Sequence, residues 1–78
     1  MEKIRVLLRE LNEHRQFVKN HEVFLSVMPH IKDKIVIDIE GIGYVFAIIE
    51  IHVAESGVDI YVVRLTNITE YEGRLIQS

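Results

Sequence analysis

Apolar residues in the first third of the chain recur at steps of three and four positions. This spacing is the α-helix period, and the first half of the segment is rich in good helix formers. One helical stripe contains Ile4, Leu7, Leu8, Leu11, Val18, Leu25 and Met28. We therefore predict one long N-terminal helix over about residues 3–28, ending before Pro29. A break near residues 19–20 is the alternative, because Asn20 is a weak helix former.

After Asp33 the apolar residues alternate, and β-branched residues dominate. This period of two predicts strands over residues 35–39, 44–53 and 58–65, joined by short glycine-bearing hairpins. The end of the chain has two interpretations: a fourth edge strand, or a short helix that begins at the capping pattern of Thr69 and Glu72. The predicted fold class is thus α+β, with the long helix followed by a three- or four-stranded antiparallel meander.

The predicted sheet has too few polar positions for an ordinary solvent face. If a four-residue loop joins the second and third strands, one face pairs Ile48 with Val63 and Phe46 with Leu65. Burying each such side chain is worth about 1.5–3 kcal/mol, so a small domain gains by covering them. The first strand can present its isoleucines to either face, because a one-residue shift in the turn exchanges the faces. We expect this apolar surface to be covered by association.

Composition supports that expectation. A chain of 78 residues is one domain, 1–78, with marginal stability, and it has no cysteine for a disulfide or a thiolate metal site. Nine basic against twelve acidic residues give a net charge of −3, which disfavours binding to nucleic acid. No apolar run is long enough to span a membrane, and the charged first residues lack a signal-peptide pattern. We expect a cytoplasmic protein.

Histidine is the residue most capable of chemistry in a chain without cysteine. Glu10 and His14 have the spacing of one helix face, but a third metal ligand is missing. His52 opposite Asp59 resembles a base and its orienting carboxylate, yet no nucleophile can be placed beside it. Both pairs are better explained as surface contacts. The sequence therefore predicts no catalytic residue, no metal and no cofactor.

A weaker pattern is tyrosine near arginine. Aromatic residues on a sheet beside arginines can stack a base and hold a phosphate, although surface tyrosines are more often simply packed. The residues that fit this ligand-binding pattern are Tyr44, Tyr61, Arg64, Tyr71 and Arg74.

These patterns favour a small non-enzymatic binding protein, of a regulatory or inhibitory type, that acts as a homo-oligomer, with a two-fold dimer as the commonest geometry. The candidate interface residues are Ile4, Leu7, Leu11, Val18 and Leu25 on the helix, and Phe46, Ile48, Val63 and Leu65 on the sheet. A separate partner protein is a further option. The alternative function is sequestration of a small anionic ligand, such as a nucleotide, in a pocket between subunits.

Overall fold

The computed structural model describes residues 2–77, and their side chains through residue 75. Over this range the chain forms β1 (Ile4–Leu11), β2 (Phe17–Leu25), β3 (Lys34–Ile39), β4 (Ile42–Ala54), β5 (Gly57–Asn67) and α1 (Ile68–Gln77). The strands make one curled, mixed sheet in the order β2-β1-β5-β4-β3. The predicted α+β class is wrong, because the segment predicted as a long helix forms two strands instead.

β1 and β2 form an antiparallel hairpin because the alternate positions of β1 face the core. Val6 is 1 % exposed, Leu8 0 % and Glu10 6 %. The helical spacing in the sequence arose because Leu7 and Leu11, on the opposite face, are apolar as well. Burial of one face of a strand outweighed the helix propensity of the segment, which is a weak local preference.

The turn between these strands contains neither glycine nor proline. The Asn12 side-chain oxygen accepts hydrogen bonds from the backbone N–H groups of His14 at 2.8 Å and Gln16 at 3.0 Å. Arg15 adopts the left-handed region with φ of 64°. Asparagine often closes turns through its own side chain in this way.

Replacing Asn12 with alanine is expected to lower the free energy of unfolding by about 1 kcal/mol, because two backbone N–H groups lose their acceptor. Urea denaturation followed by circular dichroism measures the change. Glu13→Ala is the matched control, since Glu13 lies exposed in the same turn. Equal stability of the two variants would mean that the Asn12 side chain does not hold the turn.

β4 pairs antiparallel with β3 on one side and with β5 on the other, and β5 also pairs with β1 in parallel. Glu40 and Gly41 make the two-residue turn between β3 and β4, with φ of 52° and 84°. Two positive φ angles are those of a type I′ turn, whose twist suits a hairpin. Because β5 pairs with β1, the two hairpin units form one continuous sheet.

An irregularity in β4 changes which residues face the core. His52 pairs with Asp59 as the sequence predicted, and Glu50 pairs with Tyr61, but the register shifts between Ile48 and Glu50. On the N-terminal side of this shift, Ile48 pairs with Val62. The extra residue of a β-bulge exchanges the two faces of a strand.

The predicted pairs Ile48–Val63 and Phe46–Leu65 are therefore wrong. Phe46 is 0 % and Ile48 3 % exposed, and both belong to the core, whereas Leu65 is 41 % exposed. Strand alternation directs Val63 to the opposite face from Val62. Leu65 has no partner on β4, because the register shifts a second time between Val45 and Phe46. The apolar patch expected from these four residues does not form, and Phe46 and Ile48 have no surface for a partner.

One face of the sheet, here called the inner face, carries the core. Its fully buried residues are Val6, Leu8, Phe46, Ile48, Ile60 and Val62. Ile35, Ile37 and Ile39 of β3 pack against this core but are only half-buried. The register that the sequence left open therefore directs these isoleucines to the inner face.

The helix α1 packs on β4 and β5 from the other side, here called the outer face. A side chain at Gly43 would approach Ile68 to 3.0 Å and also meet Val36 and Asp38, which alternate with the inward-facing isoleucines of β3. Asn67 caps the helix by accepting the Glu70 N–H at 2.8 Å. The helical interpretation of the sequence placed the cap at Thr69, and the structure places it two residues earlier, at Asn67.

The predicted helical interface stripe is divided by the hairpin. Ile4 and Leu25 pack against the inner-face core. Leu7 and Leu11 are half-buried on the outer face, and Val18 is 51 % exposed beside an irregularity in the β1–β2 pairing. These residues share no common surface.

Candidate functional site

A cluster of polar side chains lies at one end of the inner face. Glu10 of β1 is contacted by His21 of β2 and Arg64 of β5. The Glu10 Oε1 atom is 2.9 Å from His21 Nε2 and 3.0 Å from Arg64 Nη2. The side chains of His21 and Glu10 are only 10 % and 8 % exposed. A carboxylate this buried requires such partners, because an unpaired charge in the interior is strongly disfavoured.

The Arg64 guanidinium lies close to two aromatic rings. Its guanidinium carbon lies 4.4 Å from the centre of the Tyr44 ring and 5.4 Å from that of Phe46. The His21 ring packs at 6.0 Å from Phe46, tilted by 55°. The buried Arg64 Nε atom has no hydrogen-bond partner among the described residues. Cation–π contact therefore supplies part of the stabilisation that a further hydrogen bond would give.

The arrangement of this Glu10–His21–Arg64 cluster indicates a structural role. One oxygen of the Glu10 carboxylate contacts both His21 and Arg64, so its negative charge is balanced within the protein. The three residues come from three adjacent strands and join the N-terminal hairpin to β5. A cleft of about 300 Å³ opens beside Glu10 and Arg64, but it also contains the apolar side chains of Leu11 and Val18.

The outer face carries a second group of charged and aromatic side chains. Arg5 pairs with Glu22 at 2.7 Å, and Arg9 with Asp59 at 3.3 Å. Next to them the rings of His52 and Tyr61 meet edge to face at 4.9 Å. These residues are half-buried or exposed, and such ion pairs contribute at most about 1 kcal/mol each.

The five residues of the predicted ligand-binding pattern lie in three places. Tyr44 and Arg64 come together on the inner face, as described above. Tyr61 lies on the outer face, with the Arg9 guanidinium 6.0 Å from its ring centre. Tyr71 and Arg74 belong to α1.

Arg74 is engaged within α1. It contacts Glu70 at 3.3 Å. The Thr66 hydroxyl donates a hydrogen bond to the Glu70 carboxylate, and together with Arg74 it lowers the pKa of Glu70 below its ordinary value. Glu70 thus balances the charge of Arg74, as Glu10 does that of Arg64.

The histidine pairs considered from the sequence are arranged differently in the structure. Glu10 contacts His21, while His14 lies in the turn, 3.6 Å from Glu13. His52 and Asp59 are opposite each other across the strands, as predicted. Their side chains nevertheless pair elsewhere, His52 with Glu50 at 3.2 Å and Asp59 with Arg9.

Sequence reasoning missed the Glu10–His21–Arg64 cluster because it requires the strand register. The available signal was that Glu10 continues the alternation of Ile4, Val6 and Leu8. A charged residue at a core position predicts a buried partner. Neither His21 nor Arg64 could be identified as that partner without knowing that β1 lies between β2 and β5.

Comparisons of the chain with protein-family models, curated proteins and solved structures gave no match. Among residues 2–77, no three His, Asp or Glu side chains are grouped so that they could hold a metal ion. The described helix is too short to cross a membrane.

Proposed function

We propose that this chain is a small cytoplasmic, non-enzymatic binding protein that acts as a homo-oligomer. The observation that supports the proposal is the incomplete cover of the inner face. Half-buried apolar residues surround the buried core, among them Val23, Leu25, Met28, Ile35, Ile37 and Ile39. The helix α1 packs on the outer face, so it does not cover them.

The molecule is less compact than is usual for its length. Its radius of gyration is 12.9 Å. A compact domain of this length has a value of about 11.5 Å. Most domains bury a sheet beneath a second layer of secondary structure, and a second copy of the chain can supply that layer or extend the sheet. Closed two-fold assemblies are the commonest form of self-association.

Sedimentation equilibrium of the intact chain tests this function. We expect a mass of at least twice the 9.1 kDa of one chain at micromolar concentration. The midpoint of thermal unfolding should also rise with protein concentration, because association stabilises the folded state by mass action. A monomeric mass together with a concentration-independent midpoint would contradict the proposal.

A further inference from the structure

β3 is an edge strand with separated charges. It pairs with β4 on one side, and on its other side with no strand of residues 2–77. Lys34 lies at its beginning, Asp38 near its end, and Val36 between them. All three side chains are exposed. The backbone groups of a free edge are a template for another strand.

We propose that two copies of the chain pair through β3, antiparallel, about a two-fold axis at Val36. This inference rests on the proposed homo-oligomeric function and names its interface. Lys34 then lies opposite Asp38 of the second copy. A two-fold axis generates this pair twice, so the interface contains two pairs of opposite charge.

The inner face is apolar in the same register. Ile35 lies opposite Ile37 of the second copy, and the half-buried isoleucines of both copies become neighbours across the axis. Cross-strand pairs of β-branched residues stabilise antiparallel sheets. The two five-stranded sheets become one ten-stranded sheet, and the apolar inner face continues across the interface.

Other registers of β3 are less complementary. A slip of one residue would direct the isoleucines of one copy to the wrong face. Slips of two residues bring Val36 opposite Lys34 or Asp38, which places a charge against an apolar side chain. Asp33 does not oppose this pairing, because its carboxylate accepts the His30 N–H at 2.8 Å and belongs to the preceding turn.

The other edge strand, β2, is less suited to pairing with itself. Phe17 and Phe24 are 60 % and 56 % exposed. However, the pairing of β2 with β1 is irregular near Val18, and such bulges interrupt the ladder that a further strand needs. An antiparallel pairing about His21 would also place Lys19 opposite Val23. Phe24 therefore serves as the marker for an interface at β2.

Charge reversal at β3 provides the test. Lys34→Asp or Asp38→Lys places like charges opposite each other twice per dimer, and we expect the dimer dissociation constant to rise at least about tenfold. The double variant Lys34→Asp/Asp38→Lys restores opposite charges and should restore the dimer. Glu55→Lys, a reversal in the exposed β4–β5 turn, is the control and should change nothing.

A cysteine at the axis gives an independent readout, because the chain has no cysteine of its own. In the proposed register the two Val36 positions face each other at about 4.5–5.5 Å between Cα atoms, which suits a disulfide. Val36→Cys should form a covalent dimer on oxidation, whereas Val53→Cys, exposed at the end of β4, should not.

The outcomes separate the two proposals. A wild-type chain that is monomeric contradicts the homo-oligomeric function and the β3 interface together. An oligomer that survives both single reversals, fails to cross-link at position 36 and dissociates with Phe24→Asp retains the function but overturns the β3 interface. Circular dichroism verifies that each variant is folded, which the exposed positions of these residues favour.

Discussion

Replacing Phe46 with alanine is expected to lower the free energy of unfolding by about 3–5 kcal/mol. The side chain is 0 % exposed in the centre of the inner-face core, and its ring also packs against His21 and Arg64. A domain of this length has a total stability of about 4–12 kcal/mol. The variant should therefore be marginally folded at room temperature, with its urea midpoint strongly reduced in a circular dichroism titration.

Phe24→Ala is the matched control for Phe46→Ala. Phe24 is 56 % exposed on β2, and its removal should change the stability by less than about 1 kcal/mol. The sequence placed Phe46 at an interface, where truncation would weaken association and leave the monomer folded. A folded Phe46→Ala variant with altered oligomeric state would support that earlier interpretation against the core position.

Replacing Glu10 with alanine should destabilise the protein by about 1–3 kcal/mol, because it removes the acceptor from His21 and Arg64 together. The Glu10 side chain is 8 % exposed but that of Arg64 is 34 % exposed, so water solvates part of the guanidinium charge that is left without its partner. Urea denaturation at neutral pH measures the change. A loss below 1 kcal/mol would show that solvent screens the cluster.

Glu22 offers the comparison, since it is also a glutamate paired with an arginine, but exposed. The Glu22 side chain is 50 % exposed and lies 2.7 Å from Arg5, and Glu22→Ala should cost less than about 1 kcal/mol. The double variant Glu10→Ala/Arg64→Ala should lose less than the sum of the single changes, because residues of one network are coupled. Additive losses would indicate independent contributions.

The second half of the fold was accessible from sequence because its signals are local. β-branched residues at alternate positions identify the strands, and the glycines between them identify the hairpins, although the first turn contains only Glu40 and Gly41 and β4 begins at Ile42. The fold class was not accessible, because residues 4–25 satisfy two periods at once. Leu7 and Leu11 lie on the outer face, and with Leu8 they complete a helical stripe that the hairpin does not use.

The turn at Asn12 also gave only a weak signal in the sequence. It depends on an asparagine side chain and on Arg15 in the left-handed region, neither of which distinguishes a turn from a polar stretch of helix. The bulge in β4 is hidden in an apolar run, where exchanging the two faces leaves the pattern unchanged. The Glu10–His21–Arg64 cluster required the turn and the parallel pairing of β1 with β5 to be known.

The parallel pairing of β1 with β5 also determines when the protein can fold. Leu8 lies opposite Ile60, so β1 is paired by a strand that is synthesised only after β2, β3 and β4. Contacts between distant parts of a chain close slowly, and folding in milliseconds to seconds is typical of such topologies. Until β5 emerges, the nascent β1–β2 hairpin exposes Val6 and Leu8 along an unpaired edge. The interval between the synthesis of β2 and the synthesis of β5 is therefore the time at which this segment is most open to aggregation.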